Sequence, residues 1–382
     1  MPRTAEGRAA DTVRTPETAP PTESGSAARP ARPSAPSASA RARGTRSGMR
    51  TGAWAAALGV LLAASVVVAV TIGPAALSPA DVLSSVLAHL GFGEPTLSPL
   101  RDGIVWQLRV PRVLTAAAVG AGLALCGAVM QALTRNPLAD PYLLGLSSGA
   151  SVGAVIVIVL GIGLVLPLAA FGGALLALVA TLALAGAGGG ALTPTRTVLA
   201  GLAVSSVFGA VTSLVIFWSA TGDSYREILN WLLGSLAGTD WTSAAIAGGA
   251  MVVVGLPLLA SARTLDAFAF GDTAAAALGV HVGRSRVLLL GGTALLTGAL
   301  VSVSGAIGFV GLILPHAVRF LVGSRHRALL PLSALAGAIF LVWADTGART
   351  LFDPRELPVG ILTALVGGPV FAVLMLRNRR PA

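Results

Sequence analysis

The 382-residue chain is 54% hydrophobic and only 11% charged, with a mean hydropathy of +0.82 that excludes a soluble globular domain. All 26 cationic side chains are arginine; with no lysine, the chain cannot supply the P-loop lysine that reaches the terminal phosphates of a nucleotide. The single cysteine, Cys126, excludes an internal disulfide and a cysteine-based metal cluster, and its apolar neighbours suit a buried thiol.

Residues 1–50 carry nine arginines against four acids, Glu6, Asp11, Glu17 and Glu23, so about half of the net charge of +10 sits in this segment. Rich in Pro, Ser, Ala and Thr and poor in large apolar residues, it reads as a disordered cytoplasmic tail, because it cannot bury enough surface to offset the entropy of ordering. The first apolar run, Trp54 to Ile72, is too long for a signal-peptide core and long enough to span a bilayer. Residues 51–382 then read as one transmembrane domain. Apolar runs recur at 53–73, 113–133, 142–162, 164–186, 196–219, 242–261, 285–304, 306–323, 329–349 and 357–376, about ten helices of an all-α polytopic membrane protein. The runs nearly fuse at Gly161 to Gly163 and at Ser304 to Ala306, so these breaks are expected to hold re-entrant or interrupted spans.

With the tail inside, an even count of spans returns the C-terminus, bearing Arg377, Arg379 and Arg380, to the cytoplasm. The outer breaks then hold Arg101, Arg109, Arg112, Arg226, Arg349 and Arg355, against the usual bias of positive charge to the inner side. Glycine, 47 residues, lies largely inside the spans, where small residues let helix backbones approach closely. An echo between Cys126-Gly-Ala-Val129 and Ser304-Gly-Ala-Ile307 suggests an inverted repeat with both copies helical.

Ionisable residues in mid-membrane mark the pathways of ion-driven carriers, and here they are few. Asp345 and Arg349, four apart, are expected to pair on one helix face. His316 reads as a packing histidine rather than a relay member. No H-E-x-x-H or G-x-S-x-G motif occurs, which disfavours a membrane-embedded enzyme.

Three blocks carry more information than composition: LRVPRVLTAAAVGAGLALCGAVMQALTRNPLADPYLLGLSSGA from Leu108 to Ala150, GAIGFVGLILPHAVR from Gly305 to Arg319, and ELPVGILTALVGGPVF from Glu356 to Phe371. Together with WLLGSLAG from Trp231 to Gly238, they resemble the FecCD family of ABC importers, the iron-chelate and cobalamin permeases, over about residues 52–380. The resemblance implies a type II, cobalamin permease-like fold in the cytoplasmic membrane, and a homodimer or related heterodimer with the substrate path between subunits. It further implies two cytoplasmic ATPases that hold the ATP and magnesium, a substrate-binding protein on the outer face, and no cofactor or nucleic acid on this chain. Ferric siderophore is the expected substrate, with cobalamin or haem as alternatives and an ion-coupled secondary transporter as a further one.

The resemblance also implies site residues. Arg109, Arg112 and Arg349 match exposed outer-face arginines that meet acidic side chains of the binding protein; the alternative is that they cap spans by snorkelling. Residues 268–286 resemble the segment that couples to the ATPase, with Asp272 as N-cap of a short helix that Leu278, Gly279 and Val280 end at a glycine turn; the alternative is an ordinary loop. Gly120, Gly127, Gly305, Gly308, Gly311, Gly367 and Gly368 are the expected close-packing positions along the bundle and its path.

Overall fold

The computed structural model describes residues 38–377 except 74, 76, 94–96, 188–191, 220 and 353. Contacts divide the chain at residue 46; of the first unit, residues 38–46 are described and are helical, and the second, 47–382, holds the bundle. The described chain is helical, with no strand among the described residues. In order the helices are α1 (Ala38–Thr71), α2 (Pro79–His89), α3 (Pro99–Gly103), α4 (Val110–Thr134), α5 (Leu146–Val159), α6 (Leu166–Gly186), α7 (Pro194–Ser219), α8 (Gly222–Leu232), α9 (Trp241–Ala250), α10 (Leu256–Ala260), α11 (Ala262–Phe268), α12 (Asp272–Ala277), α13 (Val282–Ser304), α14 (Val310–Val322), α15 (His326–Ala348) and α16 (Val359–Arg377). Residues 38–50, expected as tail, thus belong to α1, and residues 1–37 lie outside the described set.

Seven helical stretches are long and apolar enough to cross a membrane, and the shorter apolar helices at 146–159, 310–322 and 359–373 bring the described total to the ten expected. Two of the long stretches contain a single π-helical segment, Ile104–Arg109 leading into α4 and Met251–Gly255 joining α9 to α10. Each precedes a proline, Pro111 or Pro257, whose missing N–H and ring disfavour a regular α-helical register there. Local chemistry sets several starts. Ser78 with Asp81 and Asp240 with Ser243 form reciprocal capping boxes at α2 and α9.

Burial differs sharply between the spans. In the α3–α4 stretch 78% of the most apolar window is buried, against 17% in α1, so α4 is the central helix and α1 a peripheral one. Its alanines and glycines let α13, α14 and α15 pack against it. Gly120 faces Gly337 while Arg112 reaches Asp345, so α4 and α15 run antiparallel; a methyl on either glycine would overlap the other's carbonyl oxygen. A methyl on Gly127 would overlap the Gly311 carbonyl oxygen of α14, whereas one on Gly311 would crowd Leu123 O; Gly149 and Gly173 face each other reciprocally across α5 and α6.

Candidate functional site

At one end of the bundle the start of α4, the end of α15 and the end of α1 converge on an arginine cluster. Arg112 Nε donates to Asp345 Oδ2 at 2.9 Å and its Nη2 to Oδ1 at 2.9 Å, while Nη1 donates to Glu356 Oε2 at 2.8 Å. Arg109, 5% exposed, donates to the carbonyls of Val70, Thr71 and Ala75 at 3.0, 3.0 and 2.7 Å. Arg349, also 5% exposed, donates to the carbonyls' neighbour on the same helix, Ala69 O, and to Thr346 Oγ1. Two arginines from different helices therefore satisfy the last carbonyls of α1, which a helix C-terminus leaves without intrahelical donors.

These positions correct two expectations. Arg109, Arg112 and Arg349 are internal ties, not exposed guanidiniums, because unpaired α1 carbonyls and a buried carboxylate claim them first. Asp345 pairs across the bundle with Arg112 instead of with Arg349 on its own helix, since the planar fork of Arg112 takes both carboxylate oxygens. The exposed arginines at this end are Arg101, Arg226 and Arg355.

Between α13 and α14 the chain leaves the helix at Gly305 and returns at Val310, so the break expected near Ser304 is real. Gly305 has a φ of +66° and packs on Trp231 O, a conformation and an approach that a side chain would obstruct. The exposed polar backbone of this segment is answered by neighbours: Ser235 N–H donates to Ser304 O, and Tyr142 Oη to Ile307 O at 3.1 Å. Gln131 Nε2 donates to Leu312 O at 3.1 Å at the start of α14. The echo of Cys126-Gly-Ala-Val129 thus fails structurally, being helical in α4 but unwound after Ser304. Among the glycines singled out, Gly120, Gly127, Gly305, Gly311 and Gly367 make close approaches, whereas an added methyl at Gly308 or Gly368 would meet open space. Spacing alone does not reveal which side of a segment faces a neighbour.

The opposite end carries α11 and α12. Gly271, with a φ of +95°, takes the N-cap position, so Asp272 is the first residue within the helix and not its cap. Its carboxylate is drawn elsewhere: Arg286 Nη2 donates to Asp272 Oδ1 at 2.8 Å and Nη1 to Oδ2 at 3.1 Å. The Arg286 hydrogen bond holds the Asp272 carboxyl below its ordinary range. Arg286 also donates to Leu192 O and lies 5.4 Å from the Phe268 ring centre. The expected glycine stop is present: Gly279 has a φ of +85°, and Val280 N–H donates to Ala275 O. Leu278, 68% exposed, and Phe270, 79% exposed, project apolar surface there.

Sequence reasoning missed two features at this end. Asp266 of α11 accepts from both the backbone N–H and Nδ1 of His326 (2.9 and 2.7 Å), tying α11 to the start of α15. A cavity of about 470 Å³ opens beside it, lined by Gln131, Arg135, His316 and Arg319 among others. His316 packs edge-on to Phe320, with ring centres 5.1 Å apart, as a packing histidine, but it also lines this space. The signal in the sequence was the recurrence of Arg and His near three helix ends.

The model of the FecCD transport family matches residues 61–377. The chain is 44% identical over 365 residues to the cobalamin import system permease protein BtuC of Halobacterium salinarum, covering 86% of this chain and 97% of that one. It is 42% identical over 283 residues to the hemin transport system permease protein HmuU of Yersinia pestis, covering 72% and 84%. A metal-chelate type ABC transporter solved in an inward-facing conformation superposes with a TM-score of 0.72 at 34% identity, covering 85% of this chain and 98% of that one.

Proposed function

The chain belongs to the FecCD transport family and is a multi-pass ABC importer permease, and we propose that its substrate is a ferric siderophore, moved across the cytoplasmic membrane with both termini of the permease inside. The observation that carries this reading is the combination of a metal-chelate transporter's fold with a bundle whose strongest internal charges are already engaged. Arg112 is committed to Asp345 and Glu356, and Arg109 and Arg349 to α1 carbonyls, so these charges form no acidic relay through which an ion gradient could drive transport. A chelate passes such a conduit intact, with force supplied by another chain.

In this reading two cytoplasmic ATPases rest against α11 and α12, where Leu278 and Phe270 offer the apolar surface. A second permease subunit completes the path. A binding protein docks at the Arg112 end through Arg101, Arg226 and Arg355, with Arg109, Arg112 and Arg349 holding the scaffold beneath. Cobalamin is the second reading, favoured by the 44% identity to a cobalamin import permease.

The test is the ligand of the binding protein that co-purifies with the full permease, measured by calorimetry against ferric siderophores, haem and cobalamin. Tightest binding of a ferric siderophore supports the proposal; a protein that holds cobalamin and no siderophore replaces it with the second reading.

A further inference from the structure

The cavity beside the coupling segment has a polarity that the transport reading leaves unused. It lies where α4 ends, α14 ends and α15 begins, an open recess of about 470 Å³. Its polar wall holds two guanidiniums and no carboxylate, beside neutral groups such as Gln131, Asn136 and Ser324 that both donate and accept. Arg135 stands at the end of α4 and Arg319 on α14, and neither has a carboxylate within ion-pairing distance among the described residues. Among the described residues, Arg319 Nη2 donates to the neutral Gln131 Oε1, at 3.2 Å.

The nearby acids are occupied. Asp266 accepts from His326, and Asp272 accepts from Arg286. At the end of α4 the carbonyls of Gln131 and Ala132 accept from the N–H groups of Asn136 and Arg135. Two arginines in a recess at helix ends that form no ion pair among the described residues leave room for a negative partner, and guanidinium groups suit the oxygens of a phosphate. One side of the same recess is apolar. Phe320 lines it and remains 59% exposed, beside Leu321, 58% exposed. A site with paired cations and an adjoining apolar flank at a membrane boundary matches a phospholipid headgroup with its acyl chain alongside.

We propose that this cavity binds a phosphate ester through Arg135 and Arg319, the headgroup phosphate of an anionic glycerophospholipid being the source that the apolar flank favours. The site is independent of which chelate the permease carries.

The test uses the full-length permease and three probes: phosphatidylglycerol, phosphatidylcholine and inorganic phosphate. Lipid retention is read by native mass spectrometry and phosphate binding by thermal shift. The wild type retains phosphatidylglycerol over phosphatidylcholine, and R135Q/R319Q loses that preference by about tenfold, whereas R327Q, which removes an exposed cation at the same end outside the cavity, keeps it. Stabilisation by inorganic phosphate that only R135Q/R319Q abolishes, without lipid preference, assigns the same site to a soluble phosphate. Equal retention of both lipids with no phosphate effect overturns the proposal, as does equal loss in R327Q. Should the double variant fail to fold, R135Q alone decides, because Arg135 is exposed: undiminished preference in that variant overturns the site.

Discussion

Arg112 and Asp345, 233 residues apart, form a two-pronged ion pair at one end of the bundle, with the Asp345 side chain 2% exposed and that of Arg112 12% exposed. Removing one member strands a buried charge, which costs far more than the intact pair contributes. D345L or R112M is therefore expected to lose about 3–5 kcal/mol of stability. The double variant R112M/D345L recovers most of it, and a double-mutant cycle by thermal unfolding in detergent reads the coupling. Equal stability of all four proteins would show that the pair contributes nothing.

Charge reversal separates surface from scaffold at the same end. R101E/R226E/R355E alters exposed residues and is expected to leave the melting temperature nearly unchanged while weakening binding-protein association by about tenfold or more. R349M removes the donor to Ala69 O and is expected to lower the melting temperature. Association is measured by surface plasmon resonance with the permease in nanodiscs. Full association of the triple variant would move docking away from these arginines.

The glycine contacts rank without ambiguity. Gly120→Val forces a side chain against the Gly337 carbonyl and should cost about 1–3 kcal/mol, as overpacking does elsewhere. Gly308→Ala and Gly368→Ala enter open space and should stay within about 0.5 kcal/mol of the parent. Thermal melts of the three proteins side by side test the order.

Leu278 is exposed at the end of α12, and Leu278→Asp should leave folding intact. The same change places a charge on the apolar surface assigned to the ATPase, so co-purification of the ATPase should fall by about tenfold. Undiminished co-purification would remove α12 from that interface.

The spans were legible in the sequence because hydropathy acts locally, and so were the stops at Gly279 and after Ser304, where one residue type decides the backbone. The partners of Arg109 and Arg349 were not. Those arginines answer the final carbonyls of α1, and a linear pattern shows neither that α1 ends beside α4 and α15 nor that its carbonyls need donors. Asp272 illustrates the same limit at shorter range: its cap chemistry was sound, but Gly271 took the position and Arg286, fourteen residues on, took the carboxylate. The family blocks identified the fold correctly, yet similarity of sequence did not reveal which arginines point outward.

The central claim is that this chain is a conduit driven by a separate ATPase. Uptake of a ferric siderophore into proteoliposomes containing the permease, its ATPase and its binding protein measures it most directly. Accumulation that requires ATP and persists after a protonophore collapses the proton gradient is the predicted result. Uptake by the permease alone, driven by a proton gradient without ATP, would contradict it.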